Sequence, residues 1–207
     1  MMKNRFNFRK YKLNRGMTFI ELAVVLSIFA VLSGTMMFNY KGFQSRIDIK
    51  NLANDIALKL VQAQKESSSG KWSTYASSTW KPAYGLYFST SNNGKIAYFA
   101  DLDNNDACSS SGCSNFSVDI SSGGEVSDVI TITKGNTISS ISVNGTSCPA
   151  TLSNLTAVYK RPNSSPALSS STSLVGCSIS YLSINVVSRD NTTSSIRIYP
   201  SGRIQIN

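Results

Sequence analysis

Hydrophobic residues are concentrated near the start of the chain, in one almost unbroken run over residues 17–38. A single charged residue, Glu21, interrupts this run. At ~1.5 Å rise per residue, a helix over the run would be about 33 Å long, enough to cross a hydrocarbon core of ~30 Å. The pattern therefore predicts one membrane-crossing helix.

The hydrophobic pattern changes over residues 39–66 to spacings of three and four, which predicts that the same helix continues as an amphipathic rod. The apolar positions are Ile49, Leu52, Ala53, Ile56, Leu60 and Ala63. This stripe should pack on a sheet. The Ser-Ser-Ser-Gly cluster at residues 67–70 should end the helix, so that it covers residues 17–66, about 75 Å at ~1.5 Å per residue.

Residues 67–207 consist of short β-like runs separated by Ser, Thr, Asn and Gly. The predicted strands cover residues 84–89, 95–101, 116–120, 129–134, 138–143, 156–160, 179–187, 195–199 and 203–206. Turn residues at 92–94 and 200–202 predict hairpins, and the Ser-rich segment 164–173 predicts a loop. The predicted class is α+β, with one long N-terminal helix packed on an antiparallel β-rich domain that forms one sheet or two small ones.

Basic residues crowd the first sixteen positions, which contain no acid. They are Lys3, Arg5, Arg9, Lys10, Lys12 and Arg15. This asymmetry predicts that residues 1–16 stay in the cytoplasm and that the domain at 67–207 lies outside the membrane. The whole chain carries a formal charge of +9, but the part after Gly16 has 14 basic and 11 acidic residues, a charge of only +3. Composition therefore gives little support to a nucleic-acid partner.

Glu21 is a candidate functional residue, because a carboxylate in an apolar helix costs roughly 2.5 to 3.5 kcal/mol at mid-bilayer. The run offers it no cation. Cleavage after Gly16 would create an amine at Met17 on every copy, and Glu21 could pair with a neighbour's amine. Two alternatives stay open. Residues 18–21 (Thr-Phe-Ile-Glu) fit a capping box that closes the helix start, and a secretory signal peptide would be cut near residues 33–34.

The segment 16–22 (Gly-Met-Thr-Phe-Ile-Glu-Leu), followed by Ala-Val-Val-Leu, resembles the prepilin signature of type IV pilins and type II secretion pseudopilins. The resemblance implies that a membrane peptidase cuts after Gly16 and methylates the new N-terminus at Met17. It also implies that Glu21 neutralises the amine of a neighbouring subunit during filament assembly. Phe38 stands where many major pilins carry proline, which favours a minor pilin or a pseudopilin.

Shorter motifs at residues 83–88, 98–101, 159–162 and 200–204 resemble the GspH/FimT-type subgroup. The resemblance implies a structural subunit of a type IV pilus-like or type II secretion filament, at the cell surface or in the periplasm. It would span the inner membrane once, with its C-terminal domain outside. Its partners would be other pilin subunits, the prepilin peptidase and an inner-membrane assembly platform. The alternative is a membrane-anchored binding module, including a DNA-uptake minor pilin.

Histidine is absent from the sequence, which excludes Ser-His-Asp and Cys-His catalysis and histidine-liganded zinc. No nucleophile motif is apparent either, so we do not expect an enzyme.

The four cysteines predict disulfides, since they lie in the segment expected outside the cytoplasm. Three pairings are possible. We favour Cys108 with Cys113, which are separated only by a Ser-Ser-Ser-Gly turn, and Cys148 with Cys177. A four-cysteine zinc site is the alternative, but the wide spacing of the second pair matches zinc knuckles poorly.

Asp101, Asp103 and Asn105 occupy positions 1, 3 and 5 of an EF-hand-like loop, so calcium is the one cofactor that the sequence suggests. The loop departs from that motif, because Asp106 replaces the turn glycine and Gly112 replaces the bidentate glutamate. A solvated Asp/Asn turn is the simpler interpretation.

Arg203 is a candidate for contact with DNA phosphates, together with Arg197 and the pair Lys160-Arg161. DNA-binding competence pilins of the FimT type have a Gly-Arg-x-Arg tail. The tail here, residues 202–205, reads Gly-Arg-Ile-Gln and lacks the second arginine. We therefore favour a charged outward face of an edge hairpin and do not expect nucleic-acid binding.

Overall fold

The computed structural model describes residues 16–73, 80–119, 124–163 and 165–207, so the predicted leader up to residue 15 lies outside the described part. Contacts divide the chain into two compact units, Met1–Lys41 and Gly42–Asn207. The long helix α1 covers Phe19–Ser69, three residues further than predicted at its C-terminal end. It ends at Gly70, whose left-handed φ of 63° lets the Lys71 amide bond back to the Glu66 carbonyl at 2.9 Å.

The first unit contains the apolar half of α1. Its segment Phe19–Met36 has a mean hydropathy of 2.1, and none of it is buried within the structure. By length and composition it can cross a membrane, as the hydrophobic pattern predicted.

The described residues of the second unit form ten strands and a short helix, α2 (Ser111–Asn115), besides the second half of α1. The strands are β1 (Ala83–Ser89), β2 (Lys95–Asp101), β3 (Val126–Thr131), β4 (Thr137–Thr146), β5 (Thr151–Leu152), β6 (Asn154–Tyr159), β7 (Pro166–Ser169), β8 (Ser178–Val187), β9 (Thr193–Ile198) and β10 (Ile204–Ile206). They form two antiparallel five-stranded sheets. Sheet 1 has the order β3-β2-β1-β6-β7 and sheet 2 the order β10-β9-β8-β4-β5.

One hydrophobic core joins the second half of α1 to the inner faces of both sheets. The predicted stripe on α1 supplies Ile49, Ala53, Ile56, Leu60 and Ala63, each at most 1% exposed, while Leu52 packs at the margin. The α+β prediction of a long helix packed on an antiparallel β domain is therefore confirmed, in its two-sheet form.

The two sheets differ in how their faces are covered. Sheet 1 is buried on both sides, because a second cluster that includes Cys113 and Phe116 covers the face turned away from α1. The central strand β1 accordingly has almost no exposed residue. In sheet 2, strand β9 alternates buried and partly exposed residues, so one face packs on the core and the other meets solvent.

Two local predictions are wrong. The strand predicted at 116–120 is not formed over its described part, 116–119, because Phe116 ends α2 with a left-handed φ of 49° and buries its ring in the second cluster. Ile120 itself lies outside the described residues. The predicted loop at 164–173 contains β7, which pairs with β6 from Pro166 opposite Tyr159 to Ser169 opposite Thr156.

Candidate functional site

The start of α1 is a closed capping box. Thr18 precedes the helix, and its carbonyl accepts the first helical bond from the Leu22 amide at 3.1 Å. The Glu21 carboxylate accepts hydrogen bonds from both the amide and the hydroxyl of Thr18, each at 2.9 Å, while the Glu21 amide donates to the Thr18 hydroxyl at 3.4 Å. The local alternative for Glu21 is thus present in the structure.

The capping box does not neutralise Glu21, because both of its partners are uncharged. The described residues of the first unit, from Gly16 to residue 41, contain no cation before Lys41. The peptide bond between Gly16 and Met17 lies beside the helix start. Met17 is 67% exposed, and a side-chain carbon added at Gly16 would meet no atom within 4 Å. The arrangement leaves a charged carboxylate and an open backbone next to each other.

The acidic loop after β2 is more buried than its sequence predicts. Asp101 is fully buried and accepts hydrogen bonds from the amides of Asn105 at 3.2 Å and Asp106 at 3.1 Å. Glu125, from the segment before β3, is 4% exposed and accepts a hydrogen bond from the amide of Ser109 at 2.7 Å. Oxygens of Asp101, Asp103 and Glu125 lie within 4.8 Å of one another.

The calcium prediction is therefore only partly matched by geometry. Three carboxylate oxygens are ligands that a hard cation accepts. Asn105, however, donates its side-chain amide to Asp103 at 2.7 Å and accepts the Ala107 amide at 2.8 Å, so it completes a turn. Glu125 was not among the predicted ligands, because it lies 24 positions after Asp101 and carries no local signal for this loop. Calcium binding stays a prediction.

Burial changes the acidity of the two enclosed carboxyls. It raises the pKa of Asp101 above its ordinary value, and a hydrogen bond shared with Asp103 adds to the rise. Burial likewise raises the pKa of Glu125, which the negative charge of Asp103 increases further. Amides that donate to both groups act in the opposite direction.

Two disulfides restrain the loops of the second unit. Cys108 is joined to Cys113, which ties the acidic loop to α2. Cys148 is joined to Cys177, which ties the segment after β4 to the start of β8. This is the pairing that the cysteine spacing favoured.

The basic candidates fall into two groups. Lys160 forms an ion pair with Asp106 at 2.5 Å, and Arg161 donates to the Lys81 carbonyl at 3.3 Å, so both are engaged near sheet 1. Arg203 instead lies over the ring of Tyr199, at 3.9 Å from the ring centre, on the outer face of sheet 2. Arg203 is exposed in the hairpin between β9 and β10, and the tyrosine beneath it was not predicted from the sequence.

Comparisons with known proteins identify only the N-terminal segment. A family model described as the prokaryotic N-terminal methylation motif matches residues 11–37. No curated protein matches the chain. No solved structure matches it either.

The matched segment contains Gly16, Met17 and Glu21, and it overlaps the apolar half of α1. The chain has the fold that the prepilin resemblance implied, with a long N-terminal helix followed in the sequence by antiparallel sheets. Residues 11–37 carry the prokaryotic N-terminal methylation motif, which together with this fold supports a type IV pilin-like protein.

Proposed function

We propose that this chain is a structural subunit of a type IV pilus-like or type II secretion filament, in the role of a minor pilin or pseudopilin. It is processed after Gly16, methylated at Met17 and assembled through α1. The single observation that carries this proposal is the methylation motif at residues 11–37, which overlaps the apolar helical segment Phe19–Met36, none of which is buried.

Exposure supports both processing and assembly. A peptidase needs an open backbone, and the Gly16–Met17 bond has one. In the membrane the apolar side chains of residues 19–36 are solvated by lipid, and in a filament they are covered by the same segment of neighbouring subunits. The exposed apolar surface thus suits both a subunit held in the membrane and a subunit packed in a filament.

Glu21 aligns neighbouring subunits during assembly. Its carboxylate is held at the helix start by Thr18, but hydrogen bonds from a hydroxyl and an amide leave its negative charge uncompensated. The amine that cleavage creates at Met17 of a neighbouring subunit provides the missing positive charge. Forming this pair in an apolar bundle removes the penalty of both charges at once and sets the axial register between subunits.

The proposal includes the topology that the basic leader predicts. Residues 1–16 form a cytoplasmic leader, residues 17–38 span the inner membrane and then form the filament core, and residues 39–66 continue the helix. Residues 67–207 form the extracytoplasmic domain, exposed at the cell surface or in the periplasm. The partners are other pilin or pseudopilin subunits, the prepilin peptidase and an inner-membrane assembly platform.

Processing is tested by intact mass and N-terminal sequencing of the chain recovered from native membranes. We expect a chain that begins at N-methylated Met17. A chain cut near Gly34, or one that keeps its leader, would contradict the proposal, because neither creates an amine beside Glu21.

Assembly is tested by comparing Glu21→Gln with Glu21→Ala in sheared filament fractions. Glutamine keeps the capping acceptor but removes the charge, whereas alanine removes both. We expect both variants to be processed, to stay in the membrane fraction and to be lost from the filaments. Ser27→Ala, in the same apolar segment, is the matched control and should assemble normally. Normal assembly of Glu21→Gln would show that only the cap matters.

A further inference from the structure

The outer face of sheet 2 carries a cationic and aromatic surface. Its strands contain no Asp or Glu, and Arg197 in β9 is their only charged residue. Arg203 stands immediately before β10. Neither arginine forms an ion pair among the described residues. Two positive charges thus lie on a sheet that offers them no counter-charge.

Both arginines are held in place by tyrosine rings. The Arg203 guanidinium lies 3.9 Å from the centre of the Tyr199 ring, and that of Arg197 lies 4.7 Å from the centre of the Tyr181 ring. The two rings pack on each other with their centres 5.7 Å apart. A guanidinium stacked on a ring keeps N–H donors at its edge, so these two arginines are pre-organised to bind carboxylate or phosphate. The Nε atom of Arg197 is buried and has no hydrogen-bond partner, so its terminal nitrogens are the donors on offer.

Hydrogen bonds fix the orientation of this cluster. The Tyr199 hydroxyl donates to the Gln205 side chain at 3.0 Å, and the Gln205 amide donates to the Asn207 side chain at 3.0 Å. Arg197 stands between two polar neighbours, since it pairs across the sheet with Ser183 on one side and Gln205 on the other. The two arginines therefore have hydroxyl and amide groups beside them.

We propose that this face, defined by Tyr181, Arg197, Tyr199, Arg203 and Gln205, binds an acidic polysaccharide. The arginines bind carboxylates of the polymer, and the hydroxyl and amide side chains beside them bind sugar hydroxyls. The charge of the partner follows from the absence of any carboxylate in the strands of sheet 2.

The chemistry of the face favours a polysaccharide over a nucleic acid. Proteins that bind single strands offer free aromatic faces to the bases, but each tyrosine ring here already has a guanidinium on one face. Asn185 and Ser195, which lie beside Arg197 on the same face, are partly exposed polar residues suited to sugar hydroxyls.

The proposal is tested by isothermal titration of the full-length chain in detergent micelles with polygalacturonate. The matched ligand is the fully methyl-esterified polymer, which keeps the sugars and removes the carboxylate charges. We expect binding to the free acid and none to the ester. Single-stranded DNA and polyglutamate of similar length complete the comparison, and both should bind more weakly than polygalacturonate.

Variants locate the binding surface. Arg203→Gln, at an exposed position, should weaken polygalacturonate binding at least about tenfold, as expected for the loss of a charge-assisted contact. Arg197→Gln should do the same. Arg189→Gln removes an equal charge in the turn before β9 and should change the affinity less than about twofold. Near-ultraviolet circular dichroism checks that each variant is folded.

Several outcomes would overturn the proposal. They are equal binding of the acid and the ester, no binding of either, or tighter binding of DNA or polyglutamate. An equal loss in Arg189→Gln would show attraction by net charge without a defined surface. Because these titrations use unassembled protein, their result is independent of whether the chain enters a filament.

Discussion

Gly85 shows how closely the strands of sheet 1 are packed. It lies in β1 between β2 and β6, and a side-chain carbon added there would lie 2.6 Å from the Ala157 carbonyl oxygen and 3.0 Å from the Phe99 ring. The carbonyl belongs to the backbone of β6 and cannot move aside without disturbing the sheet. The site therefore requires glycine for its lack of volume.

Replacing Gly85 by alanine should therefore destabilise the domain by about 1–3 kcal/mol through overpacking. Gly94, in the turn between β1 and β2, has no atom within 4 Å of the added carbon, and Gly94→Ala should be tolerated. Thermal unfolding of both full-length variants in detergent measures the difference. Equal melting temperatures would contradict the packing argument.

Asp103 affects the protonation of two neighbouring carboxyls in the acidic loop. It raises the pKa of both Asp101 and Glu125, after burial, which is the larger cause for each. A carboxyl whose pKa is higher in the folded than in the unfolded chain binds protons more tightly when folded. Its ionisation therefore destabilises the fold as pH rises through the folded pKa, and this cost is fully present at neutral pH.

Asp103→Asn should consequently stabilise the metal-free domain at pH 7 by about 0.5 kcal/mol, less than the ~1.4 kcal/mol of one full pKa unit. The gain should vanish near pH ~3.5, where the carboxyls are largely protonated in both states. Urea unfolding in the presence of EDTA at the two pH values measures it. A gain of the same size at both pH values would show that charge is not the cause.

At the scale of elements, α1 has two different faces in the second unit. Leu60 is fully buried between the sheets, whereas Leu58, two positions earlier, is 65% exposed. Leu60 therefore contributes to core packing, whereas Leu58 contributes only its helix propensity.

Leu60→Ala should destabilise the domain by about 2–5 kcal/mol, because it removes buried methyl groups and leaves a cavity. Leu58→Ala should change stability by no more than about 0.5 kcal/mol. Chemical unfolding of the two variants, followed by tyrosine fluorescence, gives the comparison. A similar cost for both would mean that the amphipathic half of α1 is not the core element of the β domain.

At the scale of the whole molecule, disulfides add covalent links to the folded chain. Cys148 and Cys177 are separated by 29 positions, and Cys108 and Cys113 by 5. A cross-link stabilises mainly by restricting the unfolded chain, and its effect grows with the length of the closed loop. The longer loop contains β5, β6 and β7, three of the strands that must pair correctly.

Removing the long-loop disulfide by Cys148→Ala with Cys177→Ala should cost roughly 3.6 kcal/mol, and removing the other pair by the same substitutions roughly 2.1 kcal/mol. Equilibrium unfolding of the two double variants tests the order. A larger loss for the Cys108 and Cys113 variant would show that this disulfide acts chiefly by holding the acidic loop in place.

Local sequence patterns were sufficient to predict the N-terminal helix, its amphipathic continuation and most of the strands. These features depend on local periodicity, which Ile49, Ala53, Ile56 and Leu60 display in full. The turn at residues 200–202 was also predictable, because Gly202 adopts the left-handed φ of 84° that favours glycine. The methylation motif is equally local, so the order of residues along the chain is enough to recognise it.

Contacts between residues that are far apart in the sequence depend instead on tertiary packing. Glu125 joins Asp101, and Tyr181 lies beneath Arg197, through strand pairings and loop closures that leave no trace in nearby sequence. The edge strand β7 was missed for the same reason, since pairing with β6 outweighs its weak local preference. Short-range interactions along the chain determine where helices and strands form, whereas the packing of the whole chain determines which side chains contact each other.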